Sequence, residues 1–119
     1  HGADAKLAPF SEAAAGIAGL ETLLPLTLSL VYRGELSRLS AIAALTTNPA
    51  DVIGMDAGHL SIGGIADLCI VDPGREWQEE VRNMISRGRN SPFIGWTLSG
   101  RVEMTLRAGR VIYQADDLT

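Results

Sequence analysis

"GHLSIGGIADLCIVDPG", residues 58–74, is the stretch where the chain changes from a helical to an extended pattern. Two glycine turns lead into residues 66–72, a short run that is apolar on both faces. Such a run, bounded by turn residues, predicts a strand that is covered on both sides. The single cysteine of the chain, Cys69, lies inside this run and is interpreted as a small buried apolar side chain, since it has no partner for an internal disulfide.

Downstream of this strand the pattern remains extended. In "RVEMTLRAGRVIYQ", residues 101–114, apolar and polar side chains alternate, break at Ala108-Gly109 and resume. This alternation predicts a hairpin with one solvated face. Between the two strand regions, residues 77–86 are predicted to form a short helix and residues 87–100 a loop held by proline and glycine.

Upstream of residue 58 the spacing of apolar residues is helical. The first helix is predicted over residues 19–33, where Pro25 is tolerable only in the first turns or as a kink. Two further helices follow, one running to Leu45 and one short. The residues predicted to bound these helices are Ser37 and Asn48 as N-terminal caps, Pro49 at a first helical position, and Gly34 and Gly54 as stops.

Composition excludes two classes of partner. The chain has 119 residues, 46% of them apolar, and a formal net charge of -4 with its ten basic residues spread along the sequence. Nothing in this distribution matches the positive surface of a nucleic-acid binder. The longest apolar stretch, residues 23–32, falls short of the roughly 20 residues that a membrane span needs. A single cysteine fits a reducing compartment, so we expect a cytoplasmic protein.

The predicted elements look like part of a larger protein. Three strands give a very small sheet with exposed edges, and the opening residues contain no initiator methionine and no export signal. We expect an apolar stripe of the first helix to lack its partner in this chain. Its members are Leu20, Leu23, Leu24 and Leu28.

Five segments carry a resemblance to a known family. They are "AGIAGLETLLPL" (15–26), "LTTNPADVIGM" (45–55), "GHLSIGGIADLCIVDP" (58–73), "SRGRNSPFIGWTLSGRV" (86–102) and "AGRVIY" (108–113). In this order and spacing the chain resembles the C-terminal portion of the dihydroorotases, which belong to the amidohydrolase superfamily. Asn90 before Ser91-Pro92-Phe93, and the sequence G-L-E-T at 19–22, favour dihydroorotase over the related allantoinases and hydantoinases.

The resemblance implies an α/β fold made of parts of two domains. Residues 1–56 would supply the last loop and terminal helices of a (β/α)8 barrel, and residues 57–119 the C-terminal strands and loops of a small β-sandwich. The implied reaction is the interconversion of N-carbamoyl-L-aspartate and dihydroorotate in pyrimidine biosynthesis. Two alternatives stay open: a non-catalytic dihydroorotase-like subunit that partners aspartate transcarbamoylase, and an amidohydrolase of the allantoinase or hydantoinase type.

The resemblance also implies where the substrate binds. His1 matches the last histidine of an aspartate-histidine-x-proline-histidine motif and would contact the substrate carboxylate, while Ala15 and Gly16 would bind the substrate through their backbone. A glycine turn lets N–H groups approach a planar ring closely. In the isolated chain, by contrast, His1 is expected to be merely solvated and Ala15-Gly16 to be the turn before a helix.

No catalytic residue and no metal ligand are expected among these residues. The general acid/base aspartate of the motif would precede residue 1, and zinc would be bound elsewhere in the complete protein. Lys6, the only lysine, lies in the opening loop and not on the barrel strand that carries the family's carboxylated lysine. His1 and His59 are too far apart to suggest a metal site. We therefore expect this chain alone to be inactive and the complete protein to be a homodimer.

Overall fold

The computed structural model describes residues 3–115, which fold into three short α-helices followed by a three-stranded antiparallel sheet. The helices are α1 (Leu23–Tyr32), α2 (Arg38–Leu45) and α3 (Thr47–Ile53), and the strands are β1 (Leu68–Gln78), β2 (Thr97–Arg107) and β3 (Arg110–Gln114). A 3-10 helix, Ala3–Lys6, precedes α1, and a second one, Val81–Asn83, lies in the connection from β1 to β2. This mixed α/β arrangement agrees with the predicted fold class. Among the described residues, no helix combines the length and the hydrophobicity needed to cross a membrane.

Local capping signals set several helix ends as predicted. Ser37 caps α2, because its hydroxyl accepts a hydrogen bond of 3.0 Å from the amide of Ser40. Gly34 follows α1 with a φ of 75°, and Gly54 follows α3 with a φ of 70°. Both glycines adopt the left-handed conformation that ends helices, so the predicted stops are confirmed.

Two predicted helix starts are wrong. The cap of α3 is Thr46 and not Asn48, which moves Pro49 from the first to the third helical position. α1 begins at Leu23, several residues later than predicted, because residue 19 belongs to an irregular loop. The later start places Pro25 in the first turn, where its missing N–H costs no helical hydrogen bond.

The strands pair in chain order, each antiparallel to the next. The predicted hairpin is confirmed, since β2 and β3 are joined by Ala108 and Gly109 with φ angles of 48° and 76°. Positive φ at both central residues is typical of the tight turns that match strand twist. The carboxylate of Asp67 accepts a hydrogen bond of 2.7 Å from the amide of Ala108, which ties this turn to the chain entering β1.

The helix predicted over residues 77–86 is wrong. Trp77 lies on β1, paired with β2, and the range contains only a three-residue 3-10 helix. The pairing register shifts between Asp72 and Glu76, so the proline and glycine there form an irregularity within a long strand and do not end it. β2 likewise begins inside the range 87–100 that was predicted as loop.

The helices and the sheet meet at α1 and β2. Leu28 on α1 is 4% exposed and contacts the backbone of β2 at Gly100. The expectation that Leu28 lacks a partner is therefore wrong, because β2 covers it. Leu20 and Leu23, by contrast, are 86% and 52% exposed.

Much of the apolar surface of the chain is not covered by the described residues. Phe10, Leu60 and Ile62 are almost fully exposed. Cys69 is exposed as well, so its interpretation as a buried side chain is wrong. The reason is that no second layer within residues 3–115 packs against its face of β1.

Candidate functional site

The predicted substrate-binding pair lies on a loop that leads into α1. Ala15 and Gly16 belong to residues 14–19, which have no regular secondary structure, and both are exposed. Gly16 has a φ of 96°, a conformation that residues with a Cβ rarely adopt. His1, the third predicted member of the site, lies outside the described residues.

Two side chains from different parts of the chain hold this loop. The ammonium group of Lys6 donates to the carbonyl oxygen of Gly16 at 2.8 Å and also to the carbonyl of Ala14. The side-chain amide of Asn90 donates to the same Gly16 oxygen at 2.9 Å. In return, the main-chain carbonyl of Asn90 accepts a hydrogen bond of 2.8 Å from the amide of Ala18. The loop is thus fixed on both sides of residue 17.

The amides of this loop are free to bind something else. Within residues 3–115, the N–H groups of Ala15, Gly16 and Ile17 donate no hydrogen bond. All peptide bonds described here are trans, so the N–H of Ile17 points away from the Gly16 carbonyl that Lys6 and Asn90 hold. Free amides beside a glycine turn are suited to donate hydrogen bonds to a carboxylate or to a polarised carbonyl oxygen.

A pocket of about 250 Å³ lies next to these amides. It is lined by Gly16, Ile17, Ala18, Gly88 and Asn90. Gly88 lies close to the loop, since a Cβ there would be 3.7 Å from the Cβ of Ala18. The pocket therefore lies between two segments that are about 70 residues apart in the sequence, and it has room for a small ligand.

Glu21 joins the same two segments a few residues further on. Its carboxylate accepts hydrogen bonds of 3.0 Å from the amides of Ile85 and Ser86. Burial alone raises the pKa of Glu21, but the two amide hydrogen bonds and the charge of Arg89 outweigh it and lower the pKa below its ordinary value. The carboxylate is therefore ionised at neutral pH and acts as a structural acceptor.

Glu79 is a buried carboxylate beside this junction. Its side chain is 2% exposed, and its Oε1 has no hydrogen-bond partner among the described residues. Burial raises the pKa of Glu79, and the negative charge of Glu21 raises it further. The amide of Glu79 donates to the carbonyl of Trp96 at 3.0 Å, and its carbonyl accepts from the amide of Gly95 at 2.8 Å. These bonds extend the β1–β2 pairing by one residue beyond the end of β1.

The described residues contain no cluster of three or more histidine, cysteine, aspartate or glutamate side chains suited to a metal ion. His59 contacts only one carboxylate, that of Asp56, with a distance of 2.8 Å between Nε2 and Oδ1. Both side chains lie in the turn region after α3, far along the chain from Gly16. Residues 3–115 therefore do not fit a zinc centre.

Sequence reasoning missed the roles of the residues that hold the loop. The sequence marks Lys6 only as the sole lysine, and it marks Asn90 and Glu21 only through the family resemblance. Their contacts join residues that are up to 74 positions apart. No local period or cap signals such contacts, and only the unusual isolation of Lys6 in the sequence pointed toward it.

Comparison with protein families gives a match over most of the chain. Residues 7–112 match the model of the amidohydrolase family, which is most of the chain and includes the whole Gly16 loop. The chain belongs to the amidohydrolase family.

Relatives of this amidohydrolase include named enzymes. It is 43% identical over 115 residues to a dihydroorotase from Geobacter sp. (strain M21), covering 97% of this chain and 27% of the relative. Among solved structures, it resembles an L-hydantoinase (dihydropyrimidinase) from Arthrobacter aurescens with a TM-score of 0.79 and 31% identity, covering 87% of this chain and 24% of the other. A D-hydantoinase (dihydropyrimidinase) from Thermus sp. gives a TM-score of 0.84 at 25% identity, covering 93% and 26%.

The chain spans only about a quarter of the length of the curated relatives that it matches. The small core, the exposed apolar side chains and the three-stranded sheet of this amidohydrolase segment are consistent with that share. Its fold is therefore one part of a larger amidohydrolase architecture.

Proposed function

We propose that the complete protein carrying this chain is a dihydroorotase that interconverts N-carbamoyl-L-aspartate and dihydroorotate. The observation that carries this proposal is the identity of 35–44% to curated dihydroorotases along 95–98% of the chain. The solved hydantoinases match its backbone well, but their identity to the chain is 23–31%. The sequence therefore favours dihydroorotase over the hydantoinase alternative.

In this proposal the loop at Gly16 binds the substrate. The free amides of Gly16 and Ile17 border a small pocket, and that of Ala15 is next to them along the chain. Both the carbonyl and the carboxylate groups of dihydroorotate are acceptors that such donors recognise. His1 would lie near the substrate carboxylate, as the family resemblance implies. The chain thus contributes substrate binding and not the reacting groups.

The catalytic machinery is proposed to lie in other parts of the complete protein. Zinc does not fit residues 3–115, since they bring no set of ligands together. The general acid/base aspartate is expected before residue 1. We propose accordingly that residues 1–56 complete a (β/α)8 barrel, that residues 57–119 complete a β-sandwich, and that residues 1–119 alone turn over no substrate.

The test is a substrate comparison with the complete protein. Initial rates are measured with dihydroorotate, hydantoin and allantoin by chromatographic detection of the ring-opened products. The proposal predicts turnover of dihydroorotate at a kcat/KM far above the other two. Preferred hydrolysis of hydantoin or allantoin would contradict it. A protein without turnover that co-elutes with aspartate transcarbamoylase would instead support the non-catalytic alternative.

A further inference from the structure

We propose that Lys6 and Asn90 are positioning residues that aim the backbone amides of the Gly16 loop at the anionic substrate. The inference rests on the proposed function, because it concerns the same pocket. Its starting observation is that two side-chain donors, 2.8 Å and 2.9 Å away, converge on the single carbonyl oxygen of Gly16.

Two donors fill the hydrogen-bonding capacity of that oxygen. A carbonyl oxygen has two lone pairs, and here one accepts from an ammonium group and the other from a carboxamide. The donors come from segments that are far apart in the sequence, so the peptide plane between Gly16 and Ile17 is restrained by two separate parts of the chain. Glycine can adopt many backbone conformations, and Gly16 has a φ of 96° here. The two hydrogen bonds to its carbonyl oxygen favour this one orientation of the peptide.

Restraining the carbonyl also restrains the N–H across the same peptide. Because the peptide is planar and trans, the N–H of Ile17 points opposite to the Gly16 carbonyl. It is one of the free amides that border the pocket. A donor oriented before the substrate arrives binds more tightly, since its ordering cost has already been met by the fold.

Asn90 acts on both sides of Ile17. Its side chain donates to Gly16, and its main-chain carbonyl accepts from Ala18. Substitution of the side chain removes the first bond and leaves the second in place. Asn90→Ala therefore isolates the effect of the carbonyl contact while the loop stays attached to residues 88–90.

Lys6 also places a positive charge next to the Gly16 loop. It is half-buried, and it forms no ion pair with a carboxylate inside the described range 3–115. Its positive charge behind the Gly16 peptide polarises that amide group and favours a negatively charged ligand on the other side. A substrate with a free carboxylate is the class of ligand that this arrangement selects.

The experiment measures KM and kcat of the complete protein for N-carbamoyl-L-aspartate. The variants are Lys6→Met, Lys6→Arg, Asn90→Ala and the double variant Lys6→Met/Asn90→Ala. Arg110→Met is the matched control, because it removes one exposed positive charge at the start of β3, far from the loop along the chain. Thermal unfolding of each variant reports whether the fold is retained.

We expect Lys6→Met and Asn90→Ala each to raise KM about tenfold with little change in kcat, the size expected for losing one hydrogen bond that orients a charged ligand. Lys6→Arg keeps the charge and the donors and should restore most of the lost affinity. The double variant should raise KM by less than the product of the single effects, because both side chains act on one oxygen.

Two results overturn the inference. An active wild-type protein whose KM is unchanged in Lys6→Met and Asn90→Ala overturns the positioning role alone and leaves the proposed function intact. A complete wild-type protein that does not turn over this substrate overturns the proposed function together with the inference. If Lys6→Met fails to fold, the comparison of Asn90→Ala with the wild-type protein decides between these results.

Discussion

Leu28 on α1 and Gly100 on β2 are in contact so close that the glycine has no room for a side chain. A Cβ at Gly100 would lie 2.5 Å from Cδ1 of Leu28. Gly100 also has a φ of 104°, and its carbonyl accepts a hydrogen bond of 3.1 Å from the indole of Trp77. Glycine is therefore required here both for space and for backbone conformation, and the helix layer rests on the sheet at this point.

Gly100→Ala should destabilise the complete protein more than the same substitution at a positive-φ glycine with open space around it. Gly95→Ala is the matched control, because its φ is 85° but no atom lies within 4 Å of the added Cβ. The control should cost about 1–2 kcal/mol for the backbone conformation alone. Gly100→Ala should cost about 1–3 kcal/mol more, for the overpacking against Leu28. Urea unfolding measures both, and equal losses would refute the packing argument.

Glu79→Gln should stabilise the protein at neutral pH. Burial and the charge of Glu21 raise the pKa of Glu79 in the folded state, so the folded protein holds this proton more tightly than the unfolded chain does. The stability from this group is present below the unfolded pKa and is lost as pH rises toward the folded pKa. Removing the charge should therefore increase the free energy of unfolding by about 1 kcal/mol at pH 7.

The pH dependence separates this effect from ordinary charge removal. The gain from Glu79→Gln should disappear as pH falls to about 4, where the carboxyl of the folded protein is already protonated. Glu76→Gln removes the same charge from an exposed side chain on β1 and should change stability by less than about 0.5 kcal/mol. A loss of stability in Glu79→Gln at pH 7 would contradict the account.

Glu21→Gln should lower the free energy of unfolding, in contrast to Glu79→Gln. Its ionised carboxylate accepts from the amides of Ile85 and Ser86, and glutamine places an NH₂ group against one of these donors. We expect a loss of about 1–3 kcal/mol at pH 7. Because the pKa of Glu21 is lowered on folding, the stabilisation holds above the unfolded pKa and is lost as pH falls. Unfolding at pH 7 and at low pH tests this, and a loss that grows toward acid would count against it.

Asp67→Ala should loosen the turn between β2 and β3. The carboxylate of Asp67 accepts from the amide of Ala108 at 2.7 Å, and without it that amide loses its partner. The expected cost is about 1 kcal/mol, with faster hydrogen exchange at Ala108. Asp67→Asn keeps an acceptor oxygen and is the matched control. If Ala and Asn gave the same exchange rate at Ala108, this role of the carboxylate would be wrong.

Residues 1–119 expressed alone should self-associate. Leu20, Leu60 and Ile62 are each more than four-fifths exposed, and large apolar patches of this kind drive association. Light scattering after size-exclusion chromatography gives the mass of the species in solution. A monodisperse monomer with a sharp thermal transition would show that the segment is stable without further chain.

The sequence predicted those features that depend on neighbours along the chain. The cap at Ser37, the stop at Gly54 and the turn at Ala108-Gly109 each rest on a local conformational preference, and each is confirmed. The failures share a different cause. Trp77 lies in the range predicted as a short helix, yet pairing with β2 carries the strand through the proline and glycine that precede it.

The candidate site shows the same division. Ala15 and Gly16 were recognisable through a family resemblance, but Lys6 and Asn90 meet at one oxygen only after folding brings distant segments together. The burial of Glu79 was equally invisible, since a carboxylate in a polar stretch predicts exposure. Contacts of this kind depend on tertiary packing, and no local pattern records them.

The most direct test of the account is a structure of the complete protein with dihydroorotate bound. We expect oxygen atoms of the ligand to lie within about 3.2 Å of one or more of the amide nitrogens of Ala15, Gly16 and Ile17, with Lys6 and Asn90 still bonded to the Gly16 carbonyl. A ligand bound in the complete protein without contact to any of these amides would contradict it.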